Sequence, residues 1–140
     1  MYSAARKAID TYAQVGVETG VAAADPHKLI LMLFDGTLAA ISNARLAMSR
    51  KEIAAKGSAI GKAIEIIDGG LKASLDLAAG GQLAERLSAL YDYMLQRLLV
   101  ANLRNDADAL DEVTRLLNEL RGAWAQIGQA GTVGGEASSK

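Results

Sequence analysis

The sequence predicts an all-α fold, an antiparallel up-down four-helix bundle with room for a short extra helix at its N-terminus. Three observations predict it. The composition is rich in alanine, leucine and isoleucine, with one proline and 4% aromatic residues, and this favours helix over sheet. Long segments repeat apolar residues at spacings of three and four, the helical period. The breaks between these segments are very short, which makes consecutive helices antiparallel neighbours.

Each element has its own signals. Residues 1–24 carry Tyr2, Tyr12 and Val15 in a polar background punctuated by glycine. "VGVETGV" interrupts any helix there, so the segment reads as flexible. Helix 1 opens at Asp25-Pro26, a good N-cap followed by a proline at the one helical position that loses no bonded N–H. It runs to about Arg50. Helix 2 covers roughly Glu52 to Ala79, with the stripe Ile53, Ile60, Ile64, Ile67, Leu71 and Leu75. Gly80-Gly81 is its expected end. Helix 3 extends from about Gln82 to Arg104, with Leu83, Leu87, Leu90, Met94, Leu98 and Ala101 inward. Asn105-Asp106 supplies the break and the next cap. Helix 4 places Leu110, Val113, Leu117, Leu120, Trp124 and Ile127 on one face and closes at Gly128. The expected organisation is a flexible segment over 1–24, a bundle domain over 25–128 and a disordered tail over 129–140.

Composition narrows the function classes. With 15 basic and 16 acidic residues the formal charge is −1, so no basic excess points to nucleic acid or an acidic membrane. There is no cysteine, hence no thiolate nucleophile, thiolate metal site or disulfide. The apolar runs read as shorter than the roughly 20 residues of a membrane span. The N-terminus shows no signal-peptide core, and a cytosolic location is the expectation.

Catalytic chemistry is hard to find. His27, the only histidine, sits in the first turn of helix 1 without a nucleophile beside it and reads as a capping or surface residue. A histidine phosphotransfer module using His27 is the alternative function, but that chemistry wants an imidazole in mid-helix. A di-iron bundle needs several inward histidines and glutamates. The acids Asp106, Asp108, Asp111 and Glu112 are explained by the start of helix 4. No cofactor, metal site or enzymatic activity is expected.

The apolar surface is more telling. On a wheel of about 100° per residue, helix 1 is apolar over roughly 200°, against about 120° for helix 4. Leu29 and Leu31 lie at opposite edges of that arc. Helix 2 has a side stripe of Ala59, Ala63, Ile66, Gly70 and Leu77, and helix 3 one of Ala89, Tyr93 and Val100. Surplus apolar faces of this kind mark a binding surface. Asn102, on the strip of Tyr91, Leu95 and Leu98, needs partners for its amide: the Tyr91 hydroxyl, a helix end or a ligand's backbone. Self-association through the same stripes is the expectation when nothing else covers them.

Several stretches together resemble one family. "AIDTYAQVGVETG", "ADPHKLILMLFDG", "SLDLAAGGQLAERLSALYDYMLQRLLVANLRND" and "LDEVTRLLNELRGAWAQI" are similar, in order and spacing, to the flagellar secretion chaperone FliS family. The resemblance covers Tyr2 to about Ile127. It implies an antiparallel helical bundle that binds the C-terminal segment of flagellin in the cytosol. Binding prevents premature polymerisation and assists delivery to the flagellar type III secretion apparatus, which adds export gate components as partners. The positions it carries over are Tyr12, Val15, Pro26, Leu29, Tyr91, Tyr93, Asn102 and Trp124. Gly69-Gly70 departs from the larger residues common in the family and suggests a soft or bent helix 2. The candidate partner-binding residues are thus Tyr12, Val15, Leu29, Leu31, Ile66, Leu77, Tyr91, Tyr93, Val100 and Asn102.

Overall fold

The computed structural model describes residues 25–138. The expectations for the leader, including Tyr12, Val15 and a short extra helix, lie outside the described residues. Four α-helices make up the described chain, and no strand occurs among these residues. They are α1 (Pro26–Ser49), α2 (Ile53–Ile66), α3 (Leu77–Arg104) and α4 (Ala107–Ser138), with a π-helical turn, Ile67–Lys72, continuing α2. Consecutive helices are neighbours and α4 returns to α1, closing the bundle.

The local signals act where they were read. The Asp25 carboxylate accepts from the Lys28 backbone N–H at 3.3 Å, and Pro26 opens α1. Asn105 leaves α3 in the left-handed conformation (φ 51°, ψ 45°), and Asp106 caps α4 by accepting from Ala109 N–H at 3.2 Å. Behind the α3 cap lies Lys56, a charged residue only 5% exposed. Its ammonium donates to the Asn102 carbonyl at 2.9 Å and to the Asn105 side chain, so a buried cation closes the helix C-terminus.

Helix α2 departs most from expectation. It ends at Lys72 rather than near Ala79, because a second cap comes first: Asp76 accepts from Ala79 N–H at 3.0 Å and starts α3. Gly80-Gly81, expected to stop helix 2, instead kinks the first turn of α3. Gly81 has φ 56° and ψ −134°, a conformation open to glycine and costly for other residues. Gly81→Ala is therefore expected to cost about 1–3 kcal/mol, read as a lower thermal midpoint. The π turn spans the Gly69-Gly70 pair. A Cβ on Gly70 would sit 3.3 Å from both Leu33 methyls, so the glycine lets α1 come close. At the end of this turn Lys72 bonds Asp92 of α3 at 2.6 Å.

The breadth of α1 finds its explanation inside the bundle. Leu29, Leu33, Phe34, Thr37, Ala40, Ile41, Ala44 and Ala47 are buried, and α1 packs against α2, the π turn and α4. By length and composition α1 could cross a membrane, contrary to the sequence reading. Its apolarity is that of a central core helix, and its Asp35 and Arg45 pair with Arg121 and Asp111 of α4. The small-residue stripe of α2 is likewise turned inward: Ala63, Ile66 and Gly70 are buried. Helix α4 runs past Gly128, its expected end, to Ser138. An interior glycine weakens a helix by about 1 kcal/mol relative to alanine but does not block it as proline does.

Candidate functional site

Because α2 stops at Lys72, it falls about 10 Å short of the expected length. At that end of the bundle the inward faces of α1, α3 and α4 lack their fourth partner. An apolar cleft of about 570 Å³ lies there. Ile30 and Phe34 of α1, Leu71 of the π turn and Leu75 beyond it, Leu83, Ala84, Leu87 and Tyr91 of α3, and Leu120, Trp124 and Ile127 of α4 line it. Leu83 and Ile127 at its rim are 68% and 58% exposed.

Among the described residues, Tyr91 is the one candidate that lines this cleft. Burial pushes its hydroxyl up to about 12, so the group stays protonated and able to donate. The other candidates are dispersed. Leu29 and Ile66 are buried, and Ile66 belongs to the core. Leu31 and Val100 are half-buried, and Leu77 is exposed. Asn102 is also half-buried, but eleven residues of helix put it about 16 Å from Tyr91, too far for their expected hydrogen bond. Its backbone carbonyl accepts from the Lys56 ammonium.

Tyr93 points to a different neighbour. It is 40% exposed and donates its hydroxyl to Glu112 of α4 at 2.7 Å, while Arg97 Nε donates to the other Glu112 oxygen at 2.7 Å. The hydrogen bond from Tyr93, then that from Arg97, holds the Glu112 carboxyl below its ordinary 4.5. A depressed acid stabilises the fold above its unfolded pKa, and that contribution disappears as pH falls through the folded one. Thermal midpoints are therefore expected to decline below about pH 4.5, and less steeply in Glu112→Gln.

His27 does not stand ready for phosphotransfer. Its Nε2 donates to the Trp124 carbonyl at 2.6 Å, and the Trp124 indole N–H donates to the His27 carbonyl at 3.0 Å. The rings stack with centroids 5.0 Å apart.

Sequence reasoning missed the cleft because it placed its walls in the core. Leu71, Leu75, Leu83, Leu87, Leu120, Trp124 and Ile127 all sit on predicted inward stripes. The signal that reveals it is Asp76, a second cap four residues before the glycine pair. Ile53, read as the first residue of the helix 2 stripe, is instead 75% exposed at the start of α2, and Leu99 and Leu103 near the end of α3 are exposed residues the sequence reading passed over.

An apolar cleft on a helical bundle, without a catalytic constellation in its lining, suits capture of an apolar helix or peptide. The comparisons agree with a binding protein of one kind. The family profile described as "Flagellar protein FliS" matches residues 8–131. The flagellar secretion chaperone FliS of Salmonella typhimurium is 55% identical over 127 residues, 91% of this chain and 93% of that protein. FliSB of Pseudomonas aeruginosa is 49% identical, over 88% of this chain and 97% of its own length. FliS of Escherichia coli is 45% identical, over 90% and 91%. Matched along nearly its whole length by the family profile and by these relatives, the chain belongs to the FliS family of flagellar secretion chaperones.

Proposed function

We propose that this protein binds the C-terminal segment of flagellin in the cytosol, keeps it from polymerising and delivers it to the flagellar export apparatus. The apolar cleft between α1, α3 and α4 is the observation that carries this reading. A client helix laid into it satisfies the exposed side chains of Leu83 and Ile127 and meets the Tyr91 hydroxyl. Burying one such aliphatic side chain contributes roughly 1.5–3 kcal/mol. A helix in a groove uses anchors three and four residues apart, which suits a disordered segment that folds as it binds.

The rest of the client wraps outward from the cleft, over surfaces that include Leu31, Leu77, Tyr93, Val100 and Asn102. The leader, through Tyr12 and Val15, covers part of the apolar surface when no client is present. It joins the bundle at Asp25, five residues before Ile30 in the cleft wall. Without client and leader, exposed stripes favour self-association.

Calorimetric titration with a flagellin C-terminal peptide tests the central statement. The expected outcome is saturable binding with a gain of peptide helix by circular dichroism. Absence of both contradicts it. Deleting residues 1–20 is expected to raise binding of an apolar dye and tighten the peptide's affinity. Unchanged values in both measurements remove the role given to the leader.

A further inference from the structure

We propose that His27 is a positioning residue for client capture, acting through Trp124, a role that rests on the cleft being the client site. His27 does not itself line the cleft, whereas Trp124 does. Their contact is reciprocal. Each side chain donates to the other's backbone carbonyl, across a separation of 97 residues, and the two rings stack within 12° of parallel.

Packing alone needs only the stack. The two hydrogen bonds do more, because they fix both position and rotation. The indole N–H is tied to α1, which pins the ring's orientation. The imidazole N–H is tied to the main chain of α4, which pins α4 against the first turn of α1. Two of the three helices that frame the cleft are thereby joined at its rim.

The consequence is a preformed wall. A tryptophan that must be immobilised when a ligand arrives subtracts from affinity, and one already held does not. The clasp also lies two residues from Asp25, where the leader enters the bundle. It therefore fixes the leader's point of attachment beside the same wall.

Three substitutions separate the parts of this contact. His27→Gln keeps an N–H donor, His27→Phe keeps a stacking ring without the donor, and His27→Ala removes both. The probe is a flagellin C-terminal peptide titrated into the full-length chain. Its single tryptophan gives a second readout in the emission of Trp124. Affinity is expected to fall about three- to tenfold in His27→Phe and His27→Ala, with red-shifted emission before peptide is added. His27→Gln is expected to bind and emit as the parent does. Equal affinity in all three variants overturns the proposal, and so does equal loss in all three, which assigns the effect to packing. A parent chain that fails to bind the peptide overturns the cleft reading itself. A parent that binds beside variants that bind alike overturns the clasp only.

Discussion

Leu83→Asp combined with Ile127→Asp is expected to lower affinity for the flagellin peptide by a hundredfold or more at unchanged fold stability. The free chain tolerates both changes because the two side chains are already largely in water, and such surface substitutions stay within about 0.5 kcal/mol. The complex does not tolerate them. Each change forfeits roughly 1.5–3 kcal/mol of apolar burial. Each also brings a carboxylate to an apolar contact, where desolvation costs several kcal/mol more if no partner is supplied. A loss of about 3 kcal/mol alone is a factor above one hundred in the dissociation constant. Calorimetry beside thermal melts checks both halves. A parental dissociation constant in the double variant places the client elsewhere on the bundle.

Ile66→Asp is expected to unfold the protein. The sequence places Ile66 on a side stripe of helix 2 and among the candidate partner-binding residues. The partner of that stripe is α1, and Ile66 is 5% exposed within the core. A carboxylate buried there without a counter-charge costs several kcal/mol, a large part of the roughly 5–15 kcal/mol that holds a domain together. The lost isoleucine adds its own cavity. The far-ultraviolet helix signal at 25 °C is expected to collapse or to melt at much lower temperature. A parental melt contradicts the packing of α2 on α1.

These three residues show how far the sequence could be read. Helix starts at Asp25-Pro26 and Asp106 were legible because capping is local chemistry: a carboxylate within reach of free N–H groups needs nothing from the rest of the fold. The stripes were legible as apolar but not by partner. A wheel reports which side of a helix avoids water and is silent on which neighbour covers it. The same small residues that invite a foreign helix therefore served to admit α1 beside Gly70 and Leu33.

The cleft depended on where α2 stops. Gly80-Gly81 is the louder punctuation, and Asp76 four residues earlier is the one that acts. With α2 drawn too long, the cleft is filled on paper and Leu83 and Ile127 become core. The π turn hid the shortening further, since it changes the spacing of side chains without altering composition. Lys56 could not be placed at all. Its cap for α3 joins residues 46 and 49 positions apart, and no local pattern announces such a contact.

The most direct test of the cleft as client site is a methyl-labelled spectrum of the full chain, recorded while a flagellin C-terminal peptide is added. The methyl signals of Ile30, Leu83, Leu87, Leu120 and Ile127 are expected to move together and saturate, while those of the core residues Ile60 and Leu110 hold still. Saturable binding that shifts Ile53, Leu99 and Leu103 and leaves the five cleft residues unmoved contradicts it.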